Sequence, residues 1–557
     1  MSQSWTVGRY LVERVREAGV DHIFGVPGDY VLVFMDDIVA SPIELVGTCN
    51  ELNAGYAADA YARLNGVGAI CVTYAVGGFS ALNAVAGAFA ERLPIIVLCG
   101  SPNRQDANEH KLLHHTVGDY GVQVDVYRNV TERALTLTDA EDAPKQIDTA
   151  IQACIQAQRP VFIEIPNDLV HEACAAPQPL ELKRRAESDA NALSEAVDEA
   201  MALLAGAKRP VVLAGIEIER FGLMKELEEF LDHTGYPVAA TLHAKSVISE
   251  THPQYAGLYY GAMSDGSVRK LVEEDAGCVL ALGAWMTDIN LGVYTAQIDA
   301  GKLINAGADR VTIGHHSYHK IYLGDFLSAL QKKLADMPAA SDHRPPVTPA
   351  ARSLDAEFTA VADAPMTVAR FYQRMNHFLD TDNIVLADAG DSLFSAASLI
   401  MHEKAGFIAQ SFYCSIGFTV PAALGAGLAD PGRRPVVFVG DGAFQMTAQE
   451  VSTLIRRGVA PIIFVMNNQG YTVERMIHDG PYNDIQNWVY HMLSECFGGP
   501  AGWEVRTEGD LERVLEHAAG NRDEMVFVEV HLDPLDCSKA LKDLGAAIGK
   551  ARELHDT

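Results

Sequence analysis

Short runs of consecutive apolar residues recur along this chain, separated by stretches in which apolar positions return every three or four residues. His22-Ile23-Phe24-Gly25-Val26, Ala69 to Thr73, Ile95 to Cys99 and Val161 to Ile165 are runs of the first kind. Such unbroken runs suit strands covered on both faces. Leu11, Val12, Val15 and Ala18 lie on one helical stripe ahead of the first run. The alternation over residues 5–185 therefore predicts a parallel sheet covered by helices. A second unit, from about Ala192 to Asp336, has Pro210 to Ala214 and Val279 to Leu282 as its clearest strands and contains no GxGxxG. A third, about 365–557, resumes the alternation through Val436 to Val439 and Ile462 to Met466. Leu180 to Asn191 and residues 337–364 lack periodicity and read as linkers. The expectation is an α/β chain of three doubly wound parallel-sheet domains, residues 1–185, 192–336 and 365–557, the first and third alike enough in size to suit a duplicated architecture.

Composition narrows this picture. The 557 residues are 48% apolar, enough for several cores. No run of 18 or more apolar residues occurs, which argues against a membrane span. Met1 to Arg9 has no signal-peptide core. The nine cysteines are scattered with no CxxC pair, so reduced thiols and a cytoplasmic setting are expected. A formal charge of −30 argues against nucleic acid as a partner.

The sharpest chemical signal is Val439-Gly440-Asp441-Gly442-Ala443, with 24 residues between Gly442 and Asn467-Asn468. Two apolar strands end in a carboxylate and an amide, with a helical stretch between them. Neighbouring parallel strands would bring those groups together at their carboxyl ends, where open α/β sheets bind ligands. Oxygen donors from Asp441, Asn468 and the Gly470 carbonyl suit a hard cation such as Mg²⁺. The pattern GDG-x24-NN resembles the motif by which thiamine diphosphate (ThDP) enzymes hold magnesium and diphosphate.

Further segments make the resemblance close. Gly28-Asp29-Tyr30, Cys49-Asn50-Glu51-Leu52-Asn53, Leu113-His114-His115-Thr116, Cys414-Ser415-Ile416-Gly417-Phe418 and Asn467 to Asp484 are similar, in order, to segments of the pyruvate and indolepyruvate decarboxylase family. The resemblance implies pyrimidine-binding, central and diphosphate-binding domains. It implies Glu51 as the carboxylate on the aminopyrimidine, on a helix from Cys49 to Tyr61, and Ile416 as the apolar wedge that bends the cofactor. Asp29, His114, His115 and Glu474 match the family's acid-base cluster. Asp391, Cys414, Ser415, Asp441, Gly442, Ala443, Asn468, Gly470 and Tyr471 match cofactor-contacting positions. Because the cofactor in this family bridges two subunits, a homodimer is the minimum unit implied, and a dimer of dimers the assembled form.

Ile289, Ala389, Leu393, Val473 and Ile477 match the substrate pocket. Bacterial pyruvate specialists of the family carry Thr, Trp and Ile where this chain has Ala389, Leu393 and Val473. The smaller lining implies branched-chain or aromatic 2-oxo acids as substrates besides pyruvate, with a pyruvate-restricted decarboxylase and an acetolactate-synthase-like carboligase as alternatives. Gly215-Ile216-Glu217-Ile218-Glu219 lacks the regulatory cysteine of substrate-activated relatives, and no FAD signature is visible.

Overall fold

The computed structural model describes residues 4–179, 182, 187–335, 357–402 and 406–545. Most of the two expected linkers falls outside these residues; the helix that follows the first starts at Ala190, capped by the Asp189 carboxylate.

Two of the three sheets share one plan. The first runs Glu44–Gly47, His22–Gly25, Gly68–Val72, Ile95–Ser101, Val161–Pro166 and Arg133–Thr136, all parallel. The third runs Phe407–Ile408, Asn383–Ala387, Arg434–Gly440, Ile462–Asn467, Val526–His531 and Trp503–Val505, again all parallel. Numbered from the first strand of each, both orders are 2-1-3-4-6-5. Their inner strands are buried along their length, as the unbroken apolar runs require.

The second sheet departs from the expected all-parallel form. Pro210–Ala214, Cys278–Leu282, Val238–Thr241, Tyr255–Tyr259 and Leu303–Ala306 are parallel, but Arg310–Ile313 and His316–His319 extend the edge as antiparallel strands. This edge is half solvated: His316 and His319 are exposed while Val311 is buried. Polar alternation of that kind belongs to an antiparallel edge rather than to a strand covered on both faces.

The first and third units meet through two helices, Glu51–Asn65 and Thr419–Ala429. A side chain at Gly425 would place Cβ 1.9 Å from the Ala57 carbonyl oxygen. Only glycine permits that approach of backbones. One apolar cluster, including Phe24, Tyr61 and Val97 with Phe418, Leu424 and Val437, runs through both units. The Glu51–Asn65 helix starts later and extends further than the sequence suggested. Asn50 caps it by accepting the Asn53 N–H, and Gly66 ends it at φ 93°. At the junction of all three units the buried Glu91 accepts the Phe412 and Tyr413 N–H groups and faces Arg63 and Arg220.

Candidate active site

In the third sheet the strand order reverses between Asn383–Ala387 and Arg434–Gly440, and the carboxyl ends of these strands open onto a cavity of about 410 Å³. Strand order alone creates such a crevice; the residues at its lip decide what it can hold.

Asp441 starts a seven-residue helix at the end of its strand and is fully buried. Its carboxylate accepts the N–H groups of Gly442 (2.7 Å) and Gly470 (3.2 Å). Burial pushes its carboxyl up to about 6, while the N–H groups of Gly442, Gln469 and Gly470 pull it down. The guanidinium of Arg475 is held by Asp484 and the carbonyls of Asn468, Gln469 and Pro534. The side-chain oxygen of Asn468 is buried with no hydrogen-bond donor. An anionic oxygen in a dry pocket beside an orphaned amide oxygen is the arrangement that an oxygen-seeking cation relieves. Gly470, at φ 143°, leaves no room for Cβ, which would meet the Asn483 carbonyl at 2.2 Å. At Gly442 a Cβ would strike the Tyr471 ring at 2.5 Å. The residues present therefore fit a divalent cation with open positions.

Ala389, Asp391, Leu393, Cys414, Ile416, Ala443, Tyr471, Val473, Glu474 and Ile289 line the same cavity as Asp441, Gly442, Asn468 and Gly470. Cys414 (φ 56°) and Gly417 (φ 84°) both adopt left-handed backbone on either side of Ile416. For Cys414 that conformation is strained, a feature that clusters at ligand sites. Two expected residues stand elsewhere. Ser415 exchanges hydrogen bonds with Tyr56 and Asn83 of the first unit. Ile477 ends the Thr472–Ile477 helix and is not among the lining residues. Asp391 lines the cavity, but its carboxylate is occupied by the Ser538 N–H and hydroxyl and by the Ser395 hydroxyl.

The motifs did not single out several participants. Asp388, fully buried, accepts the N–H groups of Gly417 and Thr419 and the Thr419 hydroxyl, and so fixes the turn after Ile416. Burial pushes it up to about 6 against those bonds. Its sequence signal was present: an apolar run, Ile384 to Ala387, ending in an acid as Val436 to Val439 does. Tyr372, Val293, Leu532 and Leu544 also line the cavity, from distant parts of the chain that carry no local signal.

At the first sheet the structure gathers a second group. His114 Nε2 lies 2.6 Å from the Asp29 carboxylate and His115 Nε2 lies 3.9 Å from it. Tyr30 stacks on His114 with ring centres 4.9 Å apart. His115 adopts φ 70°. Glu51 stands in the first turn of its helix, where a Cβ at Gly77 would come 3.3 Å from its carboxylate. None of Asp29, Glu51, His114 and His115 lines the cavity of the third sheet. One chain thus carries two separate groups of candidate residues. In the central unit the buried Glu217 pairs with Arg92 of the first.

Family models match all three units: "Thiamine pyrophosphate enzyme, N-terminal TPP binding domain" over residues 5–122, the central domain over 197–332 and the C-terminal TPP binding domain over 388–530. Full-length relatives are similar as well. Pyruvate decarboxylase 1 of Pisum sativum is 38% identical over 98% of this chain and 93% of its own length. Pyruvate decarboxylase 1 of Oryza sativa subsp. indica is 37% identical over 98% and 92%, and pyruvate decarboxylase 4 of Arabidopsis thaliana 36% over 98% and 92%.

Proposed function

This chain belongs to the thiamine pyrophosphate enzymes, as a 2-oxo acid decarboxylase, and we propose that it converts branched-chain and aromatic 2-oxo acids, as well as pyruvate, non-oxidatively to aldehydes and CO₂. The observation that carries the broader substrate range is the cavity wall. Ala389, Leu393 and Val473 line it, and each is smaller than the Thr, Trp and Ile that the family resemblance gives bacterial pyruvate specialists at these positions. Each methylene accommodated in such a pocket is worth about 1–3 kcal/mol.

In this reading residues 1–185, 192–336 and 365–557 form the pyrimidine-binding, central and diphosphate-binding domains. Asp441, Asn468 and the Gly470 carbonyl hold Mg²⁺, supported by the buried carboxylate and the orphaned amide oxygen. Thiamine diphosphate, when bound, supplies the electron sink for loss of CO₂. Ile416 would supply the apolar wall beside the cofactor's rings. Glu51 holds a proton at the aminopyrimidine. Asp29, His114, His115 and Glu474 deliver a proton to the product carbon and guide the aldehyde out. Glu51 and the histidine pair lie apart from the cavity within one chain, so a second copy completes each site. The active unit is a homodimer, assembled further into a tetramer. All nine cysteines are unpaired, which suits the cytoplasm.

The test is aldehyde formation from pyruvate, 2-oxoisovalerate, 2-oxoisocaproate, phenylpyruvate and indole-3-pyruvate. Turnover of the larger acids comparable to that of pyruvate is expected. Turnover of pyruvate alone would replace this reading with a pyruvate-restricted enzyme, and acyloin in place of aldehyde would replace it with a carboligase.

A further inference from the structure

The helix Asp391–Ala396 carries Leu393 at the cavity, yet it has only six residues. A helix that short is not stable by itself, so outside contacts must hold it. Its first residue is tied to Ser538. Its last residue leads into Ala397 to His402, a stretch without regular structure whose backbone groups need partners.

Those partners come largely from one turn of the central unit, residues 242–252. Lys245 Nζ donates to the carbonyls of Ala397 (3.2 Å) and Leu399 (2.6 Å) and to both carboxylate oxygens of Glu250 (2.8 and 3.0 Å). Glu250 in turn donates its backbone N–H to the Met401 carbonyl and accepts the Met401 N–H. Ser249 donates to the His402 carbonyl, and Ser246, at φ 68°, accepts the Phe407 N–H. From the third unit itself, Asn376 bonds Ser398 and Ile400. Lys245 and Glu250 are 2% and 4% exposed. A buried pair of this kind is poor evidence for stability by itself, so its placement asks for another explanation. That placement is at the carboxyl end of the Leu393 helix, where unpaired carbonyls accumulate and a cation is favourable.

We infer that Lys245 is a positioning residue for substrate selection: paired with Glu250, it reaches from the central domain to lock the end of the helix that presents Leu393 to the substrate. The inference rests on the proposed role of Leu393 as substrate wall. It gives the central unit a part in specificity without any residue of this turn entering the cavity.

The experiment uses the holoenzyme of three variants. Lys245→Met removes the donor and leaves Glu250 buried without a countercharge, its carboxylate still accepting from Tyr255 and Met401. Lys245→Met with Glu250→Gln keeps an amide for Met401 and guards against simple misfolding. Lys245→Arg keeps a cation. Three quantities are read: hydrogen exchange of the amides from 393 to 402, thiamine diphosphate affinity, and the phenylpyruvate-to-pyruvate ratio of kcat/KM. The double variant should exchange faster in that segment, bind the cofactor as wild type does, and shift the ratio about tenfold, the scale of a single pocket contact. Lys245→Arg should recover part of the shift. A ratio and exchange unchanged in the folded double variant would overturn the inference, as would an equal fall in kcat for every substrate with KM retained. If wild type acts on pyruvate alone, the broad-substrate reading fails by itself. The inference is then judged on pyruvate KM, which should rise about tenfold with kcat retained and must not stay unchanged.

Discussion

The first and third sheets are the same object built twice and equipped differently. Both run 2-1-3-4-6-5. Their sixth strands in chain order read Val-Phe-Ile-Glu-Ile-Pro (161–166) and Val-Phe-Val-Glu-Val-His (526–531), each with a buried glutamate at the fourth position. The surroundings of those glutamates differ. Glu164 accepts hydrogen bonds from the uncharged Gln123 and Thr136, and burial pushes it up to about 7. Glu529 accepts from Asn467 and from His491, whose ring lies 2.7 Å away. Through Asn467 it braces the turn that carries Asn468. At the lips the contrast is larger. The third sheet buries Asp441 and Asn468 in a cavity, whereas the first exposes Asp29 and His114 to solvent. Topology supplies a crevice in both cases, and side chains equip it differently: the third sheet's lip buries a carboxylate and an amide, while the first gathers an exposed carboxylate and two imidazoles.

That division can be broken most severely at Asp441. Asp441→Ala removes the anionic oxygen from the binding sheet, and metal-dependent cofactor binding should vanish in calorimetric titration of metal-stripped protein. Unchanged affinity would mean that the third sheet does not bind through this carboxylate. Glu51→Gln should act on the other sheet alone. Cofactor affinity should survive while turnover and deuterium exchange at the reactive carbon of bound thiamine diphosphate fall about 10²–10⁴-fold. Mixing these two inactive variants then tests whether the sheets meet across subunits. A mixed dimer would hold one intact site, so subunit exchange should restore about a quarter of wild-type activity for random pairing; no recovery after exchange would place both halves of each site in one chain. Leu393→Trp sharpens the comparison within the binding sheet. Overpacking costs about 1–3 kcal/mol for a ligand that needs the space. The phenylpyruvate-to-pyruvate ratio of kcat/KM should therefore fall by about ten- to a hundredfold, and an unchanged ratio in folded protein would remove Leu393 from the wall.

The smallest expected effect concerns Glu164. Its carboxyl keeps a proton in the folded protein up to about pH 7 and loses it near 4.5 when unfolded. Below pH 4.5 both states hold the proton. As pH rises from there to about 7 only the folded state holds it, so this group's contribution falls by up to ~1.4 kcal/mol per pH unit. Glu164→Gln keeps the shape and removes the titration. The variant's Tm, measured relative to wild type, should climb between pH 5 and 7.5 by a few degrees. A gap independent of pH would show that the first sheet's glutamate is not strained by burial.

The inner strands were legible because burial on both faces leaves an unbroken apolar run, as in Ile462 to Met466. The edge was not: Phe407–Ile408 is two residues long, and His316–His319 looks like a polar loop. The pairing of Asp441 with Asn468 in one cavity could be read from spacing, since neighbouring strands convert sequence distance into proximity. Motif order says nothing about side-chain direction. Ser415 accordingly faces the first unit, and Ile477 sits off the wall despite its place in a matching segment. Lys245 meets Leu399 across 154 positions, a contact made by the fold and invisible to any local pattern.

The contact of Gly425 with Ala57 has a mechanical meaning. At that point the two backbones touch with no side chain between them, so the helices have no soft layer there in which to slide past each other. A seam of this kind would couple the first and third sheets of one chain as a lever couples its two ends. If one end of the lever tilts to close a crevice, the other end must swing with it, and the displacement reaches the far edge as rotation instead of being absorbed at the seam.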